Sequence, residues 1–257
     1  MSATSTESPS PPAGMVATYR TMLRWNLAAV GGMLPLIIVV QAVLAGGIIL
    51  GFGFLVPESD VETVLLLCTG APVILLLTVG FVMVPQSIAR SRADGTYDYV
   101  RSLPVARGLI LAADLTVWLL VALPGVAVGV LTALWRYDLT LSIDWPLLVL
   151  ACLLVTIMAT AVGNAMAVSV PPLLAQLLSQ VLVFFVMLFS PITFPANRLP
   201  NWLESLHSYL PIQSSADLIR AGLASNSFDA QGRDLIVVVL WCLAGLALTT
   251  RALIRRN

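Results

Sequence analysis

The chain predicts an all-α integral membrane protein of six transmembrane helices, and three observations carry that prediction. Of its 257 residues, 59% are hydrophobic and 10% charged, against about 25% charged in soluble domains, and mean hydropathy is +0.96. A spanning helix takes ~20 mostly apolar residues, and six stretches supply them, at about 33–56, 64–85, 110–135, 146–170, 173–194 and 235–254. Finally, arginine is distributed unevenly between the connecting segments.

Met33–Val56, Val64–Pro85 and Leu115–Trp135 carry no charge. The uncharged stretch from Trp145 to Asn197 is long enough for two spans, and Pro171-Pro172 divides it, since proline cannot continue a helix. The last span is shorter in its uncharged part, with Arg251 able to snorkel to the surface. With both termini in the cytoplasm, the inner segments hold Arg20, Arg24, Arg90, Arg92, Arg101, Arg107, Arg251, Arg255 and Arg256. The outer ones hold Arg136, Arg198, Arg220 and Arg233. That asymmetry obeys the positive-inside rule and the reverse orientation violates it.

Residues 1–14, rich in Ser, Thr and Pro, are expected to form a disordered tail, and residues 15–256 a single membrane domain. Met15–Leu27 reads as an amphipathic helix on the cytoplasmic surface: Val16, Tyr19, Leu23 and Leu27 share one face, Arg20 and Arg24 another. No internal repeat is evident, which gives an inverted-repeat transporter no support.

Composition also excludes chemistry. All 13 basic residues are arginine, so a Walker A loop, which needs a lysine on the β/γ-phosphates, must lie on another chain. Cys68, Cys152 and Cys242 fall in apolar segments as packing residues. The single histidine, His207, cannot form a metal cluster. No catalytic or metal site is expected in this chain.

Two segments carry pattern beyond hydropathy. In the inner loop Gln86–Arg107, Asp94-Gly95 signals a turn, and Thr96 suits the cap of a short helix through Leu103 that Pro104 stops. Tyr97, Val100 and Leu103 with Pro104 form an apolar edge suited to a partner's groove, and Asp98 and Arg101 lie on the polar side. A basic loop serving topology alone is the plainer alternative. After the fifth span, Pro191, Pro195, Pro200 and Pro211 cut Ser190–Leu223 into pieces too short to cross the bilayer. Pro200–Leu210 sets Leu203, Leu206 and Leu210 on one face, with Trp202 and Tyr209 at headgroup level. Ser214 and Asp217 have capping-box spacing, and Asp217 and Arg220 the i,i+3 spacing of an ion pair. The segment reads as an outer lid, with an interfacial anchor as the alternative.

The run Arg92-Ala93-Asp94-Gly95-Thr96-Tyr97-Asp98 leading to Leu103-Pro104-Val105 resembles the cytoplasmic loop of type-2 ABC exporter permeases, the daunorubicin-resistance-like family. Ser190-Pro191, Phe194-Pro195, Leu199-Pro200, Pro211, Asp217 and Arg220 are similar to that family's segment after the fifth span. The resemblance covers Met15 to Arg256. It implies a permease that dimerises and pairs with two copies of a separate ATPase, which holds ATP and Mg. Gly95, Thr96, Tyr97, Asp98, Arg101, Leu103 and Pro104 would then form the helix that couples to the ATPase.

Polar groups inside the spans are few. Gln41 and Phe52 on the first span, and Gln180, Phe184, Phe185 and Met187 on the fifth, are the candidates for a substrate path. Interhelical hydrogen bonding would explain Gln41, Asn164, Gln176 and Gln180 equally. Gly47 and Gly51 form a G-x-x-x-G that permits close helix approach. Asp114 stands alone near the inner end of the third span and is expected to snorkel or pair with a loop arginine. The expected function is export of a lipophilic or amphiphilic, drug- or antibiotic-like compound from the cell membrane. A lipid-linked glycan or lipid is the rival cargo, and an ATP-independent secondary transporter the rival class.

Overall fold

A computed structural model describes residues 14–54, 61–137, 141–193 and 200–255, with side chains to residue 251. Among these every regular element is a helix, and six helices are long and apolar enough to cross a membrane. Helix α1 (Met15–Gly31) precedes the first span, α2 (Leu34–Gly53), with only a turn at Gly32 and Met33 between them. The predicted surface helix is therefore present and runs four residues longer. It packs on the third span, where the Tyr19 hydroxyl and the Thr116 hydroxyl are 2.8 Å apart.

The second span departs most from expectation. Instead of stopping at Pro85, it runs unbroken from Val61 to Ala93 as α3 (Val61–Thr78), a π-helical turn (Val79–Met83) and α4 (Val84–Ala93). Pro85 lacks an N–H, and its ring would clash with the carbonyl four residues back. The wider turn absorbs that conflict, with the Val84 N–H donating to the Val79 carbonyl, five residues back. Helix α5 (Thr96–Ser102) follows, then the third span α6 (Arg107–Tyr137). At 1.5 Å per residue, the second span's 33 residues reach about 50 Å, well beyond a hydrocarbon core of about 30 Å. Helix α5 thus sits between the end of this rod and the start of α6.

The fourth, fifth and sixth spans are α7 (Trp145–Ser169), α8 (Pro172–Phe189) and α11 (Gly232–Arg255). Between the last two lie α9 (Asn201–His207) and α10 (Pro211–Leu223). Asp144 caps α7, its carboxylate accepting from the Leu147 N–H at 3.1 Å. The fifth span ends at Phe189, five residues earlier than predicted, because Ser190 is extended.

The second span is the axis of the bundle: 89% of its apolar window is buried, against 17% for α8 and 22% each for α2 and α11. It crosses α7 at Gly80 and Gly163, where a Cβ on Gly163 would overlap the Gly80 carbonyl and one on Gly80 would overlap Ala159. Only glycine allows this approach. The Pro72 ring nests against Gly129 of α6, and Gly245 of α11 lies on the backbone of Ala161 and Val162. Small residues at each crossing let dispersion hold the spans where lipid supplies no hydrophobic drive between helices. Gly47 and Gly51, in contrast, face open space on the outer side of α2.

Candidate functional site

The two patterned segments lie at opposite ends of the bundle. At the arginine-rich end, Gly95 adopts φ 78°, a left-handed conformation that a side chain resists, and turns the chain from α4 into α5. Thr96 is not the cap: Gly95 occupies that position, and the Asp94 carboxylate accepts from the Thr96 N–H at 3.0 Å. That bond, followed by one from the Thr96 hydroxyl, holds the Asp94 carboxyl below its ordinary range. The helix ends at Ser102, and Leu103 is already extended before Pro104.

The faces of α5 are arranged differently from the sequence reading. Tyr97, Val100 and Arg101 line a cavity of about 210 Å³ inside the chain itself, with the Arg101 guanidinium 5.8 Å from the centre of the Tyr97 ring. Asp98, Tyr99 and Ser102 are the residues of α5 left exposed, and Pro104 just beyond it is exposed too. Tyr99 lies 6.4 Å, ring to ring, from Trp25 of α1, so the surface helix and α5 touch. The exposed surface of α5 is thus polar and aromatic, and of the expected apolar edge Tyr97 and Val100 turn inward while Pro104 stays exposed.

Arg92 fixes this end of the rod. Its guanidinium donates to the carbonyls of Ala167 at 2.7 Å and Val170 at 2.8 Å. These are among the last acceptors of α7, left without intrahelical partners and made still more so by Pro171-Pro172. A cation at a helix C-terminus also meets the negative end of its dipole. The sequence shows Arg92 as an inner-loop charge and as the first residue of the run that resembles the permease loop, but its spacing from the double proline holds no local signal of this cap.

Asp114 does not snorkel. Its carboxylate faces the cavity and accepts from Trp118 Nε1 at 3.0 Å and from Asn164 Nδ2 at 3.3 Å, which ties α6 to α7.

At the opposite end, α10 begins at Pro211, whose missing N–H suits the first turn. Ser214 is therefore a buried residue within the helix and not its cap. Almost the whole of α10 is buried against α7, α11 and α3. Asp217 and Arg220 form the expected pair at 2.8 Å, but Arg220 is only 4% exposed. Its other terminal nitrogen donates to the carbonyls of Pro191, at 3.1 Å, and Ile192. The Ile192 carbonyl in turn lies against Gly70 of the second span, which has no room for a Cβ. Arg220 therefore joins α10, the extended turn after α8, and the bundle's axis.

His207, set aside in the sequence, is a second buried tie. Nδ1 lies 2.9 Å from the Leu203 carbonyl and Nε2 3.2 Å from the Ser190 hydroxyl, and the ring stacks on Phe185 at 5.9 Å. The inward face of α9 is thus Leu203 and His207, not Leu203, Leu206 and Leu210; Leu206 is 45% exposed. Trp202 and Tyr209 stand exposed, and Pro195 lies outside the described residues. Arg233 donates to the Ser208 carbonyl and Trp241 to the Tyr209 carbonyl, which anchors the α9–α10 corner on α11. The end of α10 is joined to the start of α7 by the Asp144 N–H on the Gly222 carbonyl and by Ser225 and Asn226 on Ser142.

The residues predicted for a substrate path do not converge within the chain. Gln41 is buried, donates to the Val121 carbonyl at 3.1 Å and packs against Gly125, so it is an interhelical tie. Phe52 and Met187 pack on the core and Phe185 on His207. Gln180 and Phe184 point outward from α8.

Comparison with known proteins accords with this architecture. The family model described as ABC-2 type transporter matches residues 22–224, from within α1 to just past α10. A search of curated proteins returned no match. The chain belongs to the ABC-2 type transporter family: it is the multi-pass membrane permease of an ABC transporter, the part that works with an ABC ATPase subunit.

Proposed function

We propose that the chain is the permease of an ATP-driven exporter of lipophilic or amphiphilic compounds, working as a homodimer on two copies of a separate ATPase. Both termini and α5 face the cytoplasm, where arginine is concentrated, and α9 and α10 form a lid over the outer mouth. ATP with its Mg ion binds the ATPase, and closure of the two ATPases draws the two α5 helices together. Asp98 and Tyr99 are the contacts that α5 offers to its ATPase.

The observation that carries the reading is the outward face of α8. Leu177, Val181, Phe184 and Leu188 are each more than half exposed, and Gln176 and Gln180 are exposed beside them. An amide facing only lipid leaves its hydrogen bonds unmade, whereas a second copy of α8 would satisfy it. Between two such faces, an apolar seam with a few amides suits a greasy cargo with few polar groups. The lid ties of Arg220 and His207 hang from the outer end of this same helix.

Reconstitution of the permease with its ATPase in liposomes tests the reading. Lipophilic compounds should raise ATP hydrolysis and appear on the far side of the membrane. Phe184→Ala should shift the concentration for half-maximal stimulation without altering basal hydrolysis. Stimulation by lipid-linked glycans alone would transfer the assignment to that cargo. Transport without any ATPase would overturn it in favour of a secondary transporter.

A further inference from the structure

The cavity at the arginine-rich end holds chemistry that neither coupling nor a cargo path uses. Its volume, about 210 Å³, is below the roughly 300–1,000 Å³ of pockets that enclose a drug-sized ligand. It fits a polar head, not a complete lipophilic cargo. The lining has charges of both signs on an otherwise largely apolar wall: the Asp114 carboxylate, and the guanidinium groups of Arg101 and Arg107.

Asp114 accepts one hydrogen bond on each oxygen, from Trp118 and Asn164. An ionised carboxylate has about four acceptor positions, so capacity is left for donors from a ligand. Arginine, with five N–H donors in a planar fork, matches a phosphate whatever else it also contacts. A carboxylate and two arginines around one small space call for a ligand with a cation and an anion close together. Location narrows the source. Trp25 and Asn26 of α1 form part of the wall, and only two residues separate α1 from the first span, so the cavity lies at the level of the bilayer edge.

We propose that this cavity binds the headgroup of an aminophospholipid, with its ammonium on Asp114 and its phosphate on Arg101 and Arg107. The lipid is a resident one, not the transported compound, and it ties α1, α5 and α6 together where force from an ATPase would arrive. The assignment concerns binding alone and does not depend on what is exported.

Native mass spectrometry of the purified full-length permease, offered phosphatidylethanolamine, phosphatidylglycerol and soluble phosphoethanolamine, tests this. The wild type should retain phosphatidylethanolamine over phosphatidylglycerol by about tenfold, the ratio that one charge-assisted hydrogen bond supplies. Asp114→Asn, which keeps the residue's size while removing its charge, should bring the two lipids to parity. Val100→Phe, filling the cavity from α5, should reduce retention of phosphatidylethanolamine to the same level. Equal retention of both lipids by the wild type, or an unchanged preference in both variants, would overturn the proposal. Binding of soluble phosphoethanolamine as tight as that of the lipid would overturn the membrane source.

Discussion

Arg220 donates to the carbonyl of Ile192, a residue 28 positions earlier in the chain, and by doing so fastens the buried helix α10 to the turn that leaves the fifth span. Both groups are buried, and the Asp217 carboxylate beside them balances the charge.

Breaking one side of a buried ion pair costs about 3–5 kcal/mol, because the remaining charge is left uncompensated. Arg220→Met should therefore lower the melting temperature of the purified permease markedly. Asp217→Asn leaves the more buried guanidinium of Arg220 without its counter-charge and should lower it too, although the bonds to Pro191 and Ile192 remain. Equal and small shifts in both would show that the tie does not hold the outer assembly.

Arg92→Ala removes both donors from the end of α7, and each buried acceptor left unmade costs about 1–3 kcal/mol. Faster hydrogen exchange is expected at the end of α7 and across α5, with the outer end unchanged. Arg92→Lys, a shorter and more strongly hydrated ammonium in place of the one guanidinium nitrogen that makes both bonds, should fall between the wild type and alanine. Exchange that rises uniformly over the protein would contradict a local capping role.

Gly95 stands at φ 78°, which a locked proline φ near −65° cannot reach. Gly95→Pro should abolish co-purification with the ATPase while leaving the spans folded, and Gly95→Ala should weaken it. The Asp94–Thr96 bond beside it has a defined pH window. A carboxyl with a depressed folded pKa stabilises the turn above its unfolded value near 3.9, and that contribution is lost as pH falls through the folded value. Between pH 6 and 8, about two units or more above that window, this contribution is fully present, so Asp94 should add no pH dependence to assembly with the ATPase. A titration in Asp94→Asn, compared with wild type, checks this.

Tyr99→Ala, on the exposed side of α5, should change stability by no more than the roughly ±0.5 kcal/mol typical of surface changes yet reduce ATPase affinity. Tyr97→Ala, facing the cavity, should do the reverse. Pull-down and thermal unfolding on the same two variants separate the faces.

Gly163→Ala inserts a methyl where the Gly80 carbonyl already lies. Overpacking of this kind costs about 1–3 kcal/mol, and against rigid backbone the upper figure is expected. A neutral thermal shift would mean that the crossing is loose.

The six spans were legible because ~20 apolar residues specify a crossing whatever surrounds them. Faces were harder to read, since lipid and protein interior are both apolar and the usual inside–outside contrast vanishes. That is why Leu206 was grouped with Leu203, and why Gln41 and Phe184 were assigned to one path although they face opposite surroundings. The second span is placed only as far as Pro85 in the sequence, because the π-helical turn that carries the helix on to Ala93 has no sequence signature of its own. His207 and Arg92 escaped for another reason: their partners, Ser190 and the end of α7, are neighbours only once the chain has folded. The Asp217–Arg220 pair was readable because it is local, within one turn of one helix.

The Gly80–Gly163 crossing gives the long second span a fulcrum. The helix is clamped there at backbone contact, with α5 beyond one end and the Ile192 carbonyl resting on Gly70 along the other arm. A tilt that moves its α5 end one way swings its far arm the other way, against the one turn of chain that Arg220 holds.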